Sequence, residues 1–124
     1  MQGFDLADTL VHINYKSGNI VSAIAHADVL YRPKGNFIII TAQQDNASIH
    51  SAISSMVADN FPNCQRVIFV NGGEAEIIKK KAAAIKRLKL TDFTDNNRAI
   101  LAGLKELNLG VKLWVMTQDG RKPY

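Results

Sequence analysis

Residues 36–41 read NFIIIT, a continuous apolar run with no polar alternation. A strand with one wet face alternates in polarity; an unbroken run of this length suits a strand covered on both faces. RVIFVN at 66–71 has the same character. The segment between them holds Ile49, Ile53, Met56 and Val57 at helical spacing, with Asp45 or Asn46 available as a cap and Pro62 as a stop. Two such strands joined by a helix form a parallel crossover unit. Such alternation implies a mostly parallel sheet covered on both faces.

The rest of the chain fits this frame. A first strand is expected at 3–7 and short strands at 90–95 and 111–117. Helices are expected at 74–88 and over NNRAILAGLKELNLG at 96–110, the latter with an Asn cap, a stripe of Ile100, Leu101, Leu104 and Leu107, and Gly110 at its end. HINYKSGNIVSAIA at 12–25 alternates about a Ser-Gly-Asn turn signal and predicts a β-hairpin. HADVLYRPKG reads as a connector, and the tail QDGRKPY as exposed. The expectation is one α/β domain over 1–124, a three-layer sandwich with a mostly parallel five-stranded sheet.

The bulk properties set bounds. No apolar run approaches the roughly 20 residues of a membrane span, and MQGFDLADTL lacks the features of a secretory leader. One cysteine, Cys64, allows no internal disulfide, so a reducing, cytoplasmic setting is expected and Cys64 is given no role. The net charge of +4 owes much to KKKAAAIKRLK at 79–89. Such a run is ordinarily one solvated helix face; attraction to polyanions is the weaker reading, as no interleaved aromatics accompany it.

In a parallel sheet, ligands gather beyond the C-terminal ends of the strands. Those ends carry Asp5, Ala7, Asp8 and Thr9, then Thr41 and Gln43, then Asn71 to Gly73, then Asp92, Asp95 and Asn96. If their strands are neighbours, Asp5 and Asp95 converge. Paired carboxylates favour a hard cation such as magnesium, and a threonine hydroxyl can bind a phosphate oxygen. In the helix at 74–88, Ile77, Ile78, Ile85 and Leu88 share one arc with Lys81 at its centre, while Lys79, Lys80, Lys86 and Arg87 lie off it. A lysine so placed either snorkels or meets a buried anion. His12, His26 and His50 lack metal-ligand spacing, and NGG at 71–73 lacks the Lys-Ser/Thr of a phosphate loop. Asp92 rivals Asp95 but precedes it within the strand.

The order of these residues resembles the haloacid dehalogenase (HAD) superfamily of phosphohydrolases. FDLADTLV is similar to its first motif, commonly hhhDxDGTL, and FIIITAQ to its second. Lys81 stands where the third motif's lysine precedes the fourth, and DFTDNN is similar to that fourth motif. The resemblance spans almost the whole chain. It implies a Rossmann-like sheet of order 3-2-1-4-5, with the segment 12–25 as a flap and no separate cap. It implies that Asp5 is a nucleophile forming an aspartyl-phosphate. Magnesium would be held by Asp5, Asp95 and the backbone carbonyl of Ala7, and phosphate positioned by Thr41 and Lys81. The implied substrate is a phosphomonoester, such as a phosphorylated small molecule, a nucleotide or a nucleic-acid end.

The chain departs from the pattern at two places. Ala7 occupies the usual general acid/base position, and Asn96 stands where a second aspartate is common. Asn96 can still hydrogen-bond around a metal, and Asp8 is read as a capping or flap-positioning residue or a poor substitute acid. A methyl at position 7 keeps the carbonyl ligand and loses the proton carrier. Impaired turnover, a catalytically silent protein that binds a phosphorylated ligand or partner, and a deliberate change at this position all remain open. A receiver-type signalling domain uses similar residues, but its lysine follows later strands than Lys81 does.

Overall fold

The computed structural model describes residues 1–124, the side chain of Ser17 excepted. Its strands are β1 (Gln2–Phe4), β2 (Val11–His12), β3 (Asp28–Val29), β4 (Phe37–Ala42), β5 (Cys64–Val70), β6 (Asp92–Asp95), β7 (Lys112–Thr117) and β8 (Gly120–Pro123). Its α-helices are α1 (Ile20–Ala25), α2 (Ala47–Asn60), α3 (Glu74–Arg87) and α4 (Arg98–Glu106). The main sheet runs β5-β4-β1-β6-β7-β8. The first five of these strands pair in parallel, in the order expected, and β8 pairs antiparallel to β7.

The unbroken apolar run explains the layering. In β4, Phe37 and Ile39 belong to a core shared with Ile24 of α1 and with Ile53, Met56 and Val57 of α2. The alternate residues Ile38 and Ile40 join a second core with Ala82 and Ile85 of α3 and Ile100 and Leu104 of α4. Successive side chains of a strand point to opposite faces, so helices must cover both. Burying each of the larger of these side chains, Ala82 excepted, contributes about 1.5–3 kcal/mol.

Local signals set the helix ends. Asn46 caps α2 by accepting from the Ile49 N–H at 3.1 Å, which settles the choice between Asp45 and Asn46. Asn97 caps α4 by accepting from Ala99 and Ile100. Leu107 lies past the end of α4 and is exposed, so it leaves the expected stripe.

Two expectations need correction. The segment 12–25 is not a hairpin. It holds a 3-10 turn at Tyr15–Ser17 and the helix α1, framed by a two-stranded ladder in which Val11 faces Val29 and His12 faces Asp28. Asn14 accepts from Lys16 N–H and Asn19 from Ser22 N–H, so both asparagines cap helical turns. Ala23 and Ile24 then bury one side of α1, with Ile20 packed beside them. The sheet also has six strands rather than five. Gly120, at φ +105°, turns the tail back along β7 in a conformation other residues rarely adopt. Pro123 is tolerated because β8 is an edge strand. No helix among the described residues is long and apolar enough to cross a membrane.

Candidate active site

The site forms where β1 and β6, adjacent and parallel, release their last residues. The Asp5 N–H donates to the Thr94 carbonyl at 2.9 Å, which holds the end of β1 against β6. Asp5 and Asp95 thereby face each other, both buried.

Lys81 reaches between them from α3. Its ammonium donates to Asp5 Oδ1 at 3.1 Å and to Asp95 Oδ2 at 2.9 Å, with its side chain only 3% exposed. Of the two fates open to a lysine on an apolar arc, this is the buried anion rather than the solvent. The charge balance is two carboxylates to one ammonium. Burial first, and then the neighbouring Asp95, raise the Asp5 pKa from 3.8 to about 7, against the opposing pull of Lys81. Burial alone would lower the Lys81 pKa, but the two carboxylates more than reverse it, so the lysine stays charged.

The other carboxylate oxygens face Asn96. With its amide turned to satisfy its neighbours, the Asn96 nitrogen donates to Asp95 Oδ1 at 3.2 Å, Asp5 Oδ2 at 3.2 Å and the Ala7 carbonyl at 3.3 Å. Three oxygens from Asp5, Ala7 and Asp95 thus converge on one atom. The Thr9 hydroxyl adds a long contact of 3.5 Å to Asp5 Oδ2, and the Asn97 N–H donates to Asp95 Oδ1 at 3.0 Å. These are hard oxygen ligands of the kind magnesium takes, often one or two carboxylates with water completing the shell; a metal held by all three would displace the Asn96 amide from their point of convergence. Among the described residues there is no group of three or more acidic, histidine or cysteine side chains that could hold a metal on its own.

Thr41, at the end of β4, is buried beside the cluster, and its hydroxyl accepts from Gln43 Nε2 at 3.3 Å. Asp5, Ala7, Thr41, Lys81, Asp95 and Asn96 line one cleft of about 180 Å³. Asp8 lies outside it. Its backbone sits at φ +59°, a left-handed conformation that aspartate tolerates, and its exposed carboxylate bonds to His12 Nδ1 at 2.8 Å. Asp92 is also elsewhere, paired with Arg121 at 3.0 Å. That arginine, from the strand formed by the tail, stacks 4.2 Å from the Trp114 ring centre.

Sequence reasoning missed what Asn96 does. The signal was its place directly after Asp95, on a chain turning into α4, where a carboxamide can look back at both strand ends. It also missed Tyr15, whose phenol pKa is raised by burial first, then by the charges of Asp8 and Asp5. No protein-family model, curated protein or solved structure matches the chain.

Proposed function

We propose that the protein is a magnesium-dependent phosphohydrolase of the HAD type, acting on a phosphomonoester through Asp5 and slowed by the methyl group at position 7. The observation that supports it best is the Lys81 ammonium between Asp5 and Asp95, at 3.1 and 2.9 Å. A buried cation shared by two carboxylates is costly scaffolding: an apolar trio of similar volume would stabilise the fold as well or better. Its presence at the strand ends suits a site that receives phosphate.

In this mechanism an ionised Asp5 oxygen forms a bond to phosphorus as the bond to the leaving oxygen breaks. Lys81 and the Thr41 hydroxyl hold the phosphoryl oxygens. Asp5, Asp95 and the Ala7 carbonyl would hold magnesium, which supplies positive charge against the phosphoryl group. The departing oxygen needs a proton. Ala7 has none to give, and Asp8 is turned away to His12, so the proton comes from water. A water molecule then attacks the phosphorus of the aspartyl-phosphate, releasing inorganic phosphate and the Asp5 carboxylate. Both half-reactions lack a positioned acid/base, a loss typically worth roughly 10²–10⁴-fold.

The same methyl group favours a second reading, a catalytically silent protein that binds a phosphorylated ligand or partner. One comparison separates them. Ala7→Asp should raise hydrolysis of an aryl phosphate in magnesium by roughly 10²–10⁴-fold, and Asp5→Asn in that background should abolish the gain. A folded Ala7→Asp protein inert toward a broad phosphoester panel would leave the binding-only reading. Activity that survives the double change would remove Asp5 as the nucleophile.

A further inference from the structure

Two larger cavities flank the catalytic cleft, and they differ in chemistry. One, of about 770 Å³, contains Asp8, His12 and Arg98 in its wall and meets the cleft at Asn96. Asn96 lies between the two, with its amide directed to Asp5, Asp95 and Ala7. The other, of about 600 Å³, meets the cleft along Ala42 and Ile77. Ala42 directly follows Thr41, and Ile77 lies one helical turn before Lys81. A group bound to a phosphate at Thr41 and Lys81 therefore leads into this second cavity. Its volume is that of a small-molecule site.

Among the described residues, its lining holds no lysine, arginine, histidine or acidic residue. The nearest charges stand behind this lining, where Lys80 is tied to Asn71 and Glu76 lies beside Gly72. Ile20, Ile49 and Ile77 supply apolar walls, and Tyr15 supplies an aromatic ring, more than half exposed and so free to stack on an incoming plane. Besides the Tyr15 hydroxyl, the polar side chains are carboxamides, two of them with assigned directions. Asn71 Oδ1 accepts from Lys80 at 2.9 Å, which leaves its amide hydrogens as donors. Gln43 donates to Thr41, which leaves its oxygen as an acceptor, and Gln44 offers both. Gly72, at φ +118°, keeps this wall low, because a β-carbon there would stand 2.7 Å from the Glu76 carboxylate.

Apolar walls, one aromatic face, and a donor beside an acceptor match a flat heterocycle with a hydrogen-bonding edge. Carboxamides pair with such edges in the same way when proteins read bases. We propose that this cavity takes the nucleoside part of a nucleoside monophosphate whose phosphate lies in the Asp5–Lys81 cleft. The assignment rests on the phosphate-site reading above and adds the substrate class to it.

The test is calorimetry and amide chemical-shift mapping of the full chain in magnesium. The probes are inorganic phosphate, ribose 5-phosphate, phosphoserine, adenosine, and the four common nucleoside 5′-monophosphates. At least one nucleotide should bind about fivefold or more tighter than ribose 5-phosphate, the lower range of one base stacked on an aromatic ring. Tyr15→Ala and Gln44→Ala should each erode that advantage while the affinity for inorganic phosphate holds. Ribose 5-phosphate or phosphoserine binding as tightly as every nucleotide would overturn the proposal, as would an advantage unchanged in both variants. Adenosine shifting the Tyr15 and Gln44 resonances while phosphate fails to bind would uphold the nucleoside cavity and overturn the phosphate cleft. Binding of neither would overturn both.

Discussion

The three charged groups at the strand ends make the fold sensitive to pH in a direction opposite to that of most aspartates. Asp5 carries a pKa of about 7 in the native state against 3.8 ordinarily. The native protein therefore keeps a proton that the unfolded chain has released. A group of this kind stabilises the fold at low pH and loses that contribution as pH rises through about 7. Lys81, raised above its ordinary 10.5, stays charged throughout this range and adds no slope. From near pH 5 to near pH 8, Asp5 traverses about two units of excess proton affinity, or about 3 kcal/mol at roughly 1.4 kcal/mol per unit. Asp5→Asn keeps the shape of the side chain and removes its ionisation. Urea unfolding of both proteins in chelator should show the wild type losing about 3 kcal/mol more than the variant across that window. Millimolar magnesium, binding the ionised carboxylate, should cancel or reverse the difference. Parallel stability curves for the two proteins in chelator would refute the reasoning, since they would mean that Asp5 has the same proton affinity folded and unfolded.

Other outcomes follow from the same geometry. Lys81→Met should weaken phosphate or vanadate binding strongly and cost about 3–5 kcal/mol of stability near pH 8, because it leaves two buried carboxylates unpaired; Lys79→Ala and Lys80→Ala should change phosphate affinity little, and equal losses in all three would indicate a diffuse basic patch. Asn46→Ala should lower stability by about 1 kcal/mol through loss of the α2 cap, read by chemical denaturation. Ile53→Ala, at a fully buried position of α2, should cost about 2–5 kcal/mol, and a much smaller loss would show that the layer collapses around the gap.

The central strands and the helices around them were legible because their signals are local and periodic. NFIIIT carries the two-sided burial of β4, and Asn46 and Asn97 announce the helices that follow. Lys81 was legible too, because an arc of isoleucines with a cation at its centre has few meanings. The segment 12–25 was misread for an identifiable reason. HINYKSGNIVSAIA alternates in polarity over a few residues, but Asn19 followed by IVSAIA is also a capped helical turn, and burial of Ile24 against α2 decides between them. The sixth strand was missed because GRKP has no apolar pattern; its place depends on the free edge of β7 and on the pairing of Arg121 with Asp92. Asn96 was recognised as a polar neighbour of Asp95, but the convergence of Asp5, Ala7 and Asp95 on its amide required the strand pairing itself.

The segment that carries the short helix α1, and that lines the cavity beside the site with Tyr15 and Ile20, is fastened into the molecule. Ile13, Ala23 and Ile24 sit in the same core as α2 and β4, and Ile24 is 1% exposed. Opening it would expose that core, so it is no hinged cover. On this packing the entrance is expected to keep one width, so that a ligand meets it already formed. Association should then proceed in a single phase whose observed rate rises linearly with ligand concentration, without the plateau that a slow opening step imposes. Any selectivity for size would lie in the fixed walls of the entrance and be exercised at the moment of encounter.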